Sequence, residues 1–271
     1  MNIISQTRTI LISLGFIVPM VAVSKLMMVM LSLETQINLI PVLLSAIGML
    51  PIYIMDRVKD PEEDQANDNK SQRREIVQRY KHYLTALSIV LIVTYFVINV
   101  VYLDWMEVVI LHTHLFIFVV YSKTKPFILI DTLAVGIAWS TFILGIVVFY
   151  SQIGFSLSIF IAMLVMKMGE TELSNIRDLD ADKKSGNPTL PVVVGEKKTM
   201  IFVNTSFALS IALLSYYLPV KSLVIILMLS IVLIYIFVSD RFKNIERMMY
   251  WDRIIKLLIG LTCLIFLVFL V

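Results

Sequence analysis

A chain of 271 residues that is 59% hydrophobic and 16% charged, with a mean hydropathy of +0.88, is too apolar for an ordinary soluble domain, in which about 45–50% is usual. Its net charge of +3 is too small for a polyelectrolyte binder, and its lone cysteine, Cys263, excludes an internal disulfide and argues against a thiolate metal centre. Lipid is therefore the expected solvent for most of the chain.

A helix that crosses the hydrocarbon needs about 20 mostly apolar residues. In chain order such runs fall at about 9–31, 36–55, 82–103, 105–121, 127–150, 154–171, 199–218, 221–239 and 253–271. The first lacks the basic start and small-residue cleavage site of a signal peptide and is long enough to span, so it is read as a membrane helix. The expected fold is all-α, a bundle of nine transmembrane helices in one domain covering 1–271, organised as two four-helix halves (about 9–121 and 127–239) plus a ninth helix.

Threading these helices alternately through a bilayer puts nearly all Lys and Arg on one side: Arg8, the 57–81 segment, Lys123 and Lys125, the 177–198 segment and 241–256. The opposite loops hold little beyond Lys221. By the positive-inside rule the basic face is cytoplasmic, with the N-terminus inside and the C-terminus outside. The basic stripe thus reports topology, and no nucleic-acid partner is expected.

The two longest connections follow the second and sixth helices. Each opens with aspartates four apart, Asp56 and Asp60 in one and Asp178 and Asp182 in the other, so each pair shares a face if its helix continues. Like charges at that spacing destabilise a helix by about 0.2–0.5 kcal/mol, a cost that a bound cation reverses. Two facing pairs suit magnesium, which prefers oxygen ligands and takes one or two carboxylates while substrate phosphates supply others. The bland alternative is a solvated acidic cap at each helix end. A calcium loop beginning Asp178, Asp180, Asp182 fails, because Lys183 and Thr189 occupy its required glycine and glutamate positions. Gly186 and Pro188 disfavour helix, so a loop is expected after Asp182.

The stretch Asn-Ile-Arg-Asp-Leu-Asp-Ala-Asp-Lys-Lys-Ser-Gly-Asn-Pro-Thr-Leu-Pro, residues 175–191, resembles the second aspartate motif and following loop of the UbiA superfamily of intramembrane prenyltransferases. Met-Asp-Arg-Val-Lys-Asp, residues 55–60, resembles the latter part of that family's first motif. The motif's leading Asn-Asp would fall near Ile52 and Tyr53, and Asn175 stands where many members carry aspartate. With Tyr-Ser-Lys-Thr-Lys at 121–125, the resemblance extends over essentially the whole chain.

The resemblance implies transfer of a prenyl group from a prenyl diphosphate to a lipophilic acceptor. Asp56 and Asp60 would hold one magnesium ion and Asp178 and Asp182 the other, Lys123, Lys125 and Arg177 would clamp the diphosphate, and Asn175 would face the substrate. For the two lysines, positive-inside topology is the competing explanation. Ionisable groups inside apolar runs are functional candidates by default, and here they are Lys25, His112, His114, Asp131 and Lys167. Of these Lys25 is the candidate for contacting the acceptor, against snorkelling to the outer surface. His112 and His114 are two apart and make a poor joint metal site. Quinone precursor, glycerol-phosphate lipid, tetrapyrrole and carotenoid acceptors all remain open, as does a non-catalytic transporter or scaffold.

Overall fold

The computed structural model describes residues 17–35, 38–59, 77–124 and 128–216, and every regular element among them is helical. In an apolar solvent each backbone N–H and C=O must find its partner within the chain, which a helix achieves locally. The helices are α1 (Ile17–Ser32), α2 (Leu39–Lys59), α3 (Lys81–Tyr102), α4 (Trp105–Thr124), α5 (Ile130–Ser151), α6 (Leu157–Arg177), α7 (Leu179–Ser185), α8 (Leu190–Val194) and α9 (Glu196–Ser215). Each of the first seven apolar runs thus contains a helix, the 9–16 part of the first lying outside the described residues. The runs at 221–239 and 253–271, and Cys263, lie outside the described residues.

By length and apolarity, Leu39–Val58, Lys81–Tyr102 and Ile130–Ser151 suffice to cross a membrane, whereas Val18–Met30 and Trp105–Ile117 are shorter apolar stretches. Helix α5 is the axis of the bundle, packing against α1, α2, α4 and α6, while α9 packs on the far side of α6. Val135, Ala138, Trp139, Phe142, Ile143 and Ile146 of α5 are all buried. Helix α3 instead turns Leu87, Val90, Val97 and Val101 outward, as a helix facing lipid does.

Apolar matching to lipid provides little drive for helices to associate, so close packing carries the bundle and small residues mark the contacts. A Cβ at Gly48 would lie 2.6 Å from Phe142 Cε2 and 2.9 Å from Tyr95 Cε2, so this glycine lets α2 meet both α5 and α3. At Gly169 a Cβ would lie 3.1 Å from Ser206 Cβ and 3.3 Å from the Val203 carbonyl oxygen, where α6 meets α9. Several hydroxyls within the helices are satisfied by their own backbone: Ser24 donates to Met20 O, Ser88 to Leu84 O and Ser140 to Gly136 O. Near the other end of the bundle the Tyr150 hydroxyl donates to Asn99 Oδ1 at 2.8 Å, tying α5 to α3.

His112 and His114 both pack their rings on Tyr95, with centroids 5.0 and 5.7 Å away. Each ring Nδ1 meets a backbone carbonyl one turn back, Val108 and Leu111 respectively. The pair belongs to the aromatic packing between α3, α4 and α5.

Gly48→Ala should lower stability by about 1–3 kcal/mol, because the two rings that must give way are held in a packed interior. The check is the thermal unfolding midpoint of wild type and variant in the same lipid or detergent.

Candidate active site

Asp56 lies in the last turn of α2 and is exposed. Tyr53, three residues earlier and on the same face, sets its ring edge against Trp139 of α5, centroids 6.4 Å apart. Asp60 and Lys125 lie outside the described residues, and Lys123 falls in the last turn of α4 with its side chain likewise not described.

The second aspartate pair sits at a joint. Helix α6 ends at Arg177, Asp178 caps the short α7, and the Asp182 N–H donates to Asp178 O at 2.9 Å, so the one-turn spacing of the two carboxylates is kept. The helix runs past Asp182 to Ser185, and only there does Gly186, at φ 74°, end it in the left-handed region. The loop expected directly after Asp182 therefore begins four residues later. It folds back, with Asn187 N–H donating to Asp182 O and the Thr189 hydroxyl donating to Asp182 Oδ2, both at 3.0 Å. Lys183 and Lys184 are exposed.

Arg177 and Asp178 engage each other: Nε donates to Oδ1 at 2.9 Å and Nη2 to Oδ2, a two-pronged fork. The Asn175 amide donates to Glu172 Oε2 at 3.1 Å, and Glu172 Oε1 accepts from the Thr132 hydroxyl of α5. Thr132 also lies 3.4 Å from Asp131 Oδ1. A buried threonine and glutamate thus orient Asn175 from behind. Among the described residues no three His, Cys, Asp or Glu side chains gather tightly enough to hold a metal by themselves. A donor set of separate carboxylate pairs fits a hard cation whose other ligands come from substrate phosphate and water.

Deeper in the bundle, Lys25 of α1 does not snorkel. It is 1% exposed and its Nζ lies 2.8 Å from Glu170 Oε1 and 2.9 Å from Oε2. Lys167 approaches Glu170 Oε2 at 3.3 Å. The two ammonium groups sit 5.0 and 4.8 Å from the ring centroid of Trp139, within reach of a cation–π attraction.

Sequence reasoning singled out Lys25 and Lys167 but missed Glu170, Glu172, Thr132 and Trp139. The available signal was Lys-Met-Gly-Glu-Thr-Glu at 167–172, charges entering the end of an apolar run one helical turn apart.

A family model described as the UbiA prenyltransferase family matches residues 16–249. No curated protein sequence matches the chain. The fold is similar to the apo structure of a UbiA homologue from Aeropyrum pernix K1, with a TM-score of 0.68 at 18% identity over 92% of this chain and 96% of that one. It is also similar to a UbiA homologue from Archaeoglobus fulgidus solved with DMAPP and Mg2+ (TM-score 0.60) and with GPP and Mg2+ (TM-score 0.61), each at 15% identity over 93% of this chain and 96% of that one. With the match covering most of its length, the chain belongs to the UbiA prenyltransferase family.

Proposed function

We propose that the protein transfers a prenyl group from a prenyl diphosphate to a lipophilic acceptor within the bilayer, with magnesium assisting diphosphate departure. The observation that carries this reading is the Asp178–Asp182 turn with Arg177 beside it, at the end of an apolar bundle in a chain of this family. The Archaeoglobus homologue's binding of DMAPP or GPP with Mg2+ supports it. Asp178 and Asp182 would hold one magnesium ion, and Asp56 with Asp60 the other. When bound, magnesium neutralises charge on the departing diphosphate.

The chain's own residues supply the rest. Arg177 exchanges its fork on Asp178 for one on diphosphate oxygens, for which a planar guanidinium is suited. Lys123 and Lys125 add charge at the same face. Glu172, held by Thr132, keeps Asn175 facing the substrate. The packed apolar helices keep water from the allylic cation as it forms. We read the chain as a single domain of two four-helix halves plus a ninth helix, crossing the membrane nine times, with the N-terminus and both aspartate segments on the cytoplasmic side.

Membranes containing the protein should transfer label from radiolabelled geranylgeranyl diphosphate into lipid extract with magnesium present and not with EDTA. Asp178→Ala should lower that transfer by at least about 100-fold, the scale seen when a group that stabilises developing charge is removed. Unchanged activity in this variant would sink the metal assignment. Arg177→Lys keeps the charge but loses the fork, and should raise the KM for the diphosphate donor by about tenfold; an unaltered KM would remove Arg177 from the clamp.

A further inference from the structure

Arg177 and Asp178 are adjacent in sequence, and adjacent side chains on a regular helix do not face each other. They meet here because the helix breaks at this joint. Asp178 stands at φ −92° and ψ 8°, between the end of α6 and the start of α7, in the sparsely populated bridge region of the backbone. With the helix broken there, the guanidinium covers both carboxylate oxygens of its neighbour, and Thr189 takes one oxygen of Asp182. The residues that would hold magnesium are thus engaged by their own chain, and at Asp178 by a full positive charge.

Burial separates this ion pair from the one deeper in the bundle. The Lys25 and Glu170 side chains are 2% and 7% exposed, those of Arg177 and Asp178 26% and 24%. A pair closed off from water cannot part without leaving a buried charge, whereas a pair with a quarter of its surface open can exchange partners. A magnesium ion arriving alone must displace the guanidinium from Asp178 or sit beside it, and like charges so close repel. A diphosphate removes the obstacle, because its oxygens accept the same planar fork. The size of the effect follows from the fraction of time the carboxylate is open: a fork closed about nine-tenths of the time lowers the apparent affinity for a cation about tenfold.

We propose that Arg177 is a latch on the second aspartate pair: while it forks onto Asp178 the pair holds divalent metal weakly, and a diphosphate opens the site by drawing the guanidinium onto its own oxygens. Metal is thereby admitted together with the charged head of the donor. Lys184 provides the comparison, since it carries the same charge close by, is exposed and makes no ion pair among the described residues. The opening by diphosphate rests on the prenyl-transfer reading; the hold of Arg177 on Asp178 does not.

The test uses the full-length protein in nanodiscs of neutral lipid, with Mn2+ as the probe, an ion that accepts the same carboxylate and water ligands as magnesium. Bound Mn2+ is measured from the loss of the free-ion electron spin resonance signal with no diphosphate present, and Asp178→Ala gives the background from other sites. Arg177→Gln should bind Mn2+ at the aspartates about fivefold or more tighter than wild type, within the usual span of coupling free energies. In the same variant the magnesium-dependent binding of radiolabelled geranylgeranyl diphosphate should weaken about tenfold, as loss of a charge-assisted hydrogen bond requires. An arginine that only clamped the diphosphate would change the second affinity and leave the first alone, and one that only supported the fold would tighten neither. Arg177→Lys keeps the charge and loses the fork, so its Mn2+ affinity should rise by a smaller factor; it replaces Arg177→Gln if unfolding midpoints show the latter is not folded. Lys184→Gln should stay within about twofold of wild type, because an exposed charge without a partner contributes little. Mn2+ affinity that is unchanged or lower in a folded Arg177 variant, or that rises as much in Lys184→Gln, overturns the inference. If wild type binds no geranylgeranyl diphosphate while Mn2+ still tightens in Arg177→Gln, the prenyl-transfer reading falls and the latch on the carboxylate stands.

Discussion

The ion pair between Lys25 and Glu170 joins two helices 145 residues apart in sequence, at a place where water cannot share the work of stabilising either charge. Removing two ions from water costs several kcal/mol each, and their attraction offsets this only when the geometry is good. Here the ammonium reaches both carboxylate oxygens within hydrogen-bonding distance, and Trp139 of the central helix turns its ring to the same charge. Losing one partner from such a pair typically costs about 3–5 kcal/mol, because the other is left buried and uncompensated. The pair therefore sets how α1, α5 and α6 stand relative to one another. Everything that these helices carry to the aspartate-bearing end inherits that geometry.

Around this fixed point the bundle is assembled by fit. Gly48 admits the rings of Phe142 and Tyr95, and Gly169 admits the backbone of α9. Because lipid is as apolar as the side chains, such contacts gain from packing and not from escape from water. The polar chemistry is then segregated. Asp56 stands in the last turn of α2, and Asp178 and Asp182 stand where α6 breaks and resumes as α7, while within the bundle Lys25 is matched by Glu170, Glu172 is held by Thr132 and Asn175, and Lys167 is partly accessible. That division suits a reaction whose leaving group is highly charged and whose other product is greasy.

The joint at Asp178 also shows how local structure prepares a residue. Arg177 and Asp178 are neighbours in sequence, and their fork neutralises a carboxylate that stands one turn from Asp182. Thr189, seven residues beyond Asp182, closes back on it. The turn is thus held in shape by contacts from its own neighbours along the chain.

Much of this was readable before any coordinates. Seven apolar runs became helices, since a stretch of some 20 apolar residues in lipid has no other way to satisfy its backbone. The one-turn spacing of Asp178 and Asp182 and the family resemblance of residues 175–191 also follow from sequence alone, because they depend on neighbours along the chain, whereas the loop expected directly after Asp182 begins only at Gly186. What only the tertiary structure decided was partnership between distant segments. Lys25 read equally well as a snorkelling lysine or an acceptor contact, and snorkelling was ruled out by Glu170, which reads as an unremarked charge near the end of an apolar run. Trp139 and Thr132 carry no distinguishing mark in the sequence, and it is the bundle that sets one against two ammonium groups and the other against Glu172. Periodicity tells which face of a helix is apolar, but not which other helix that face meets, and a buried charge is defined by its partner.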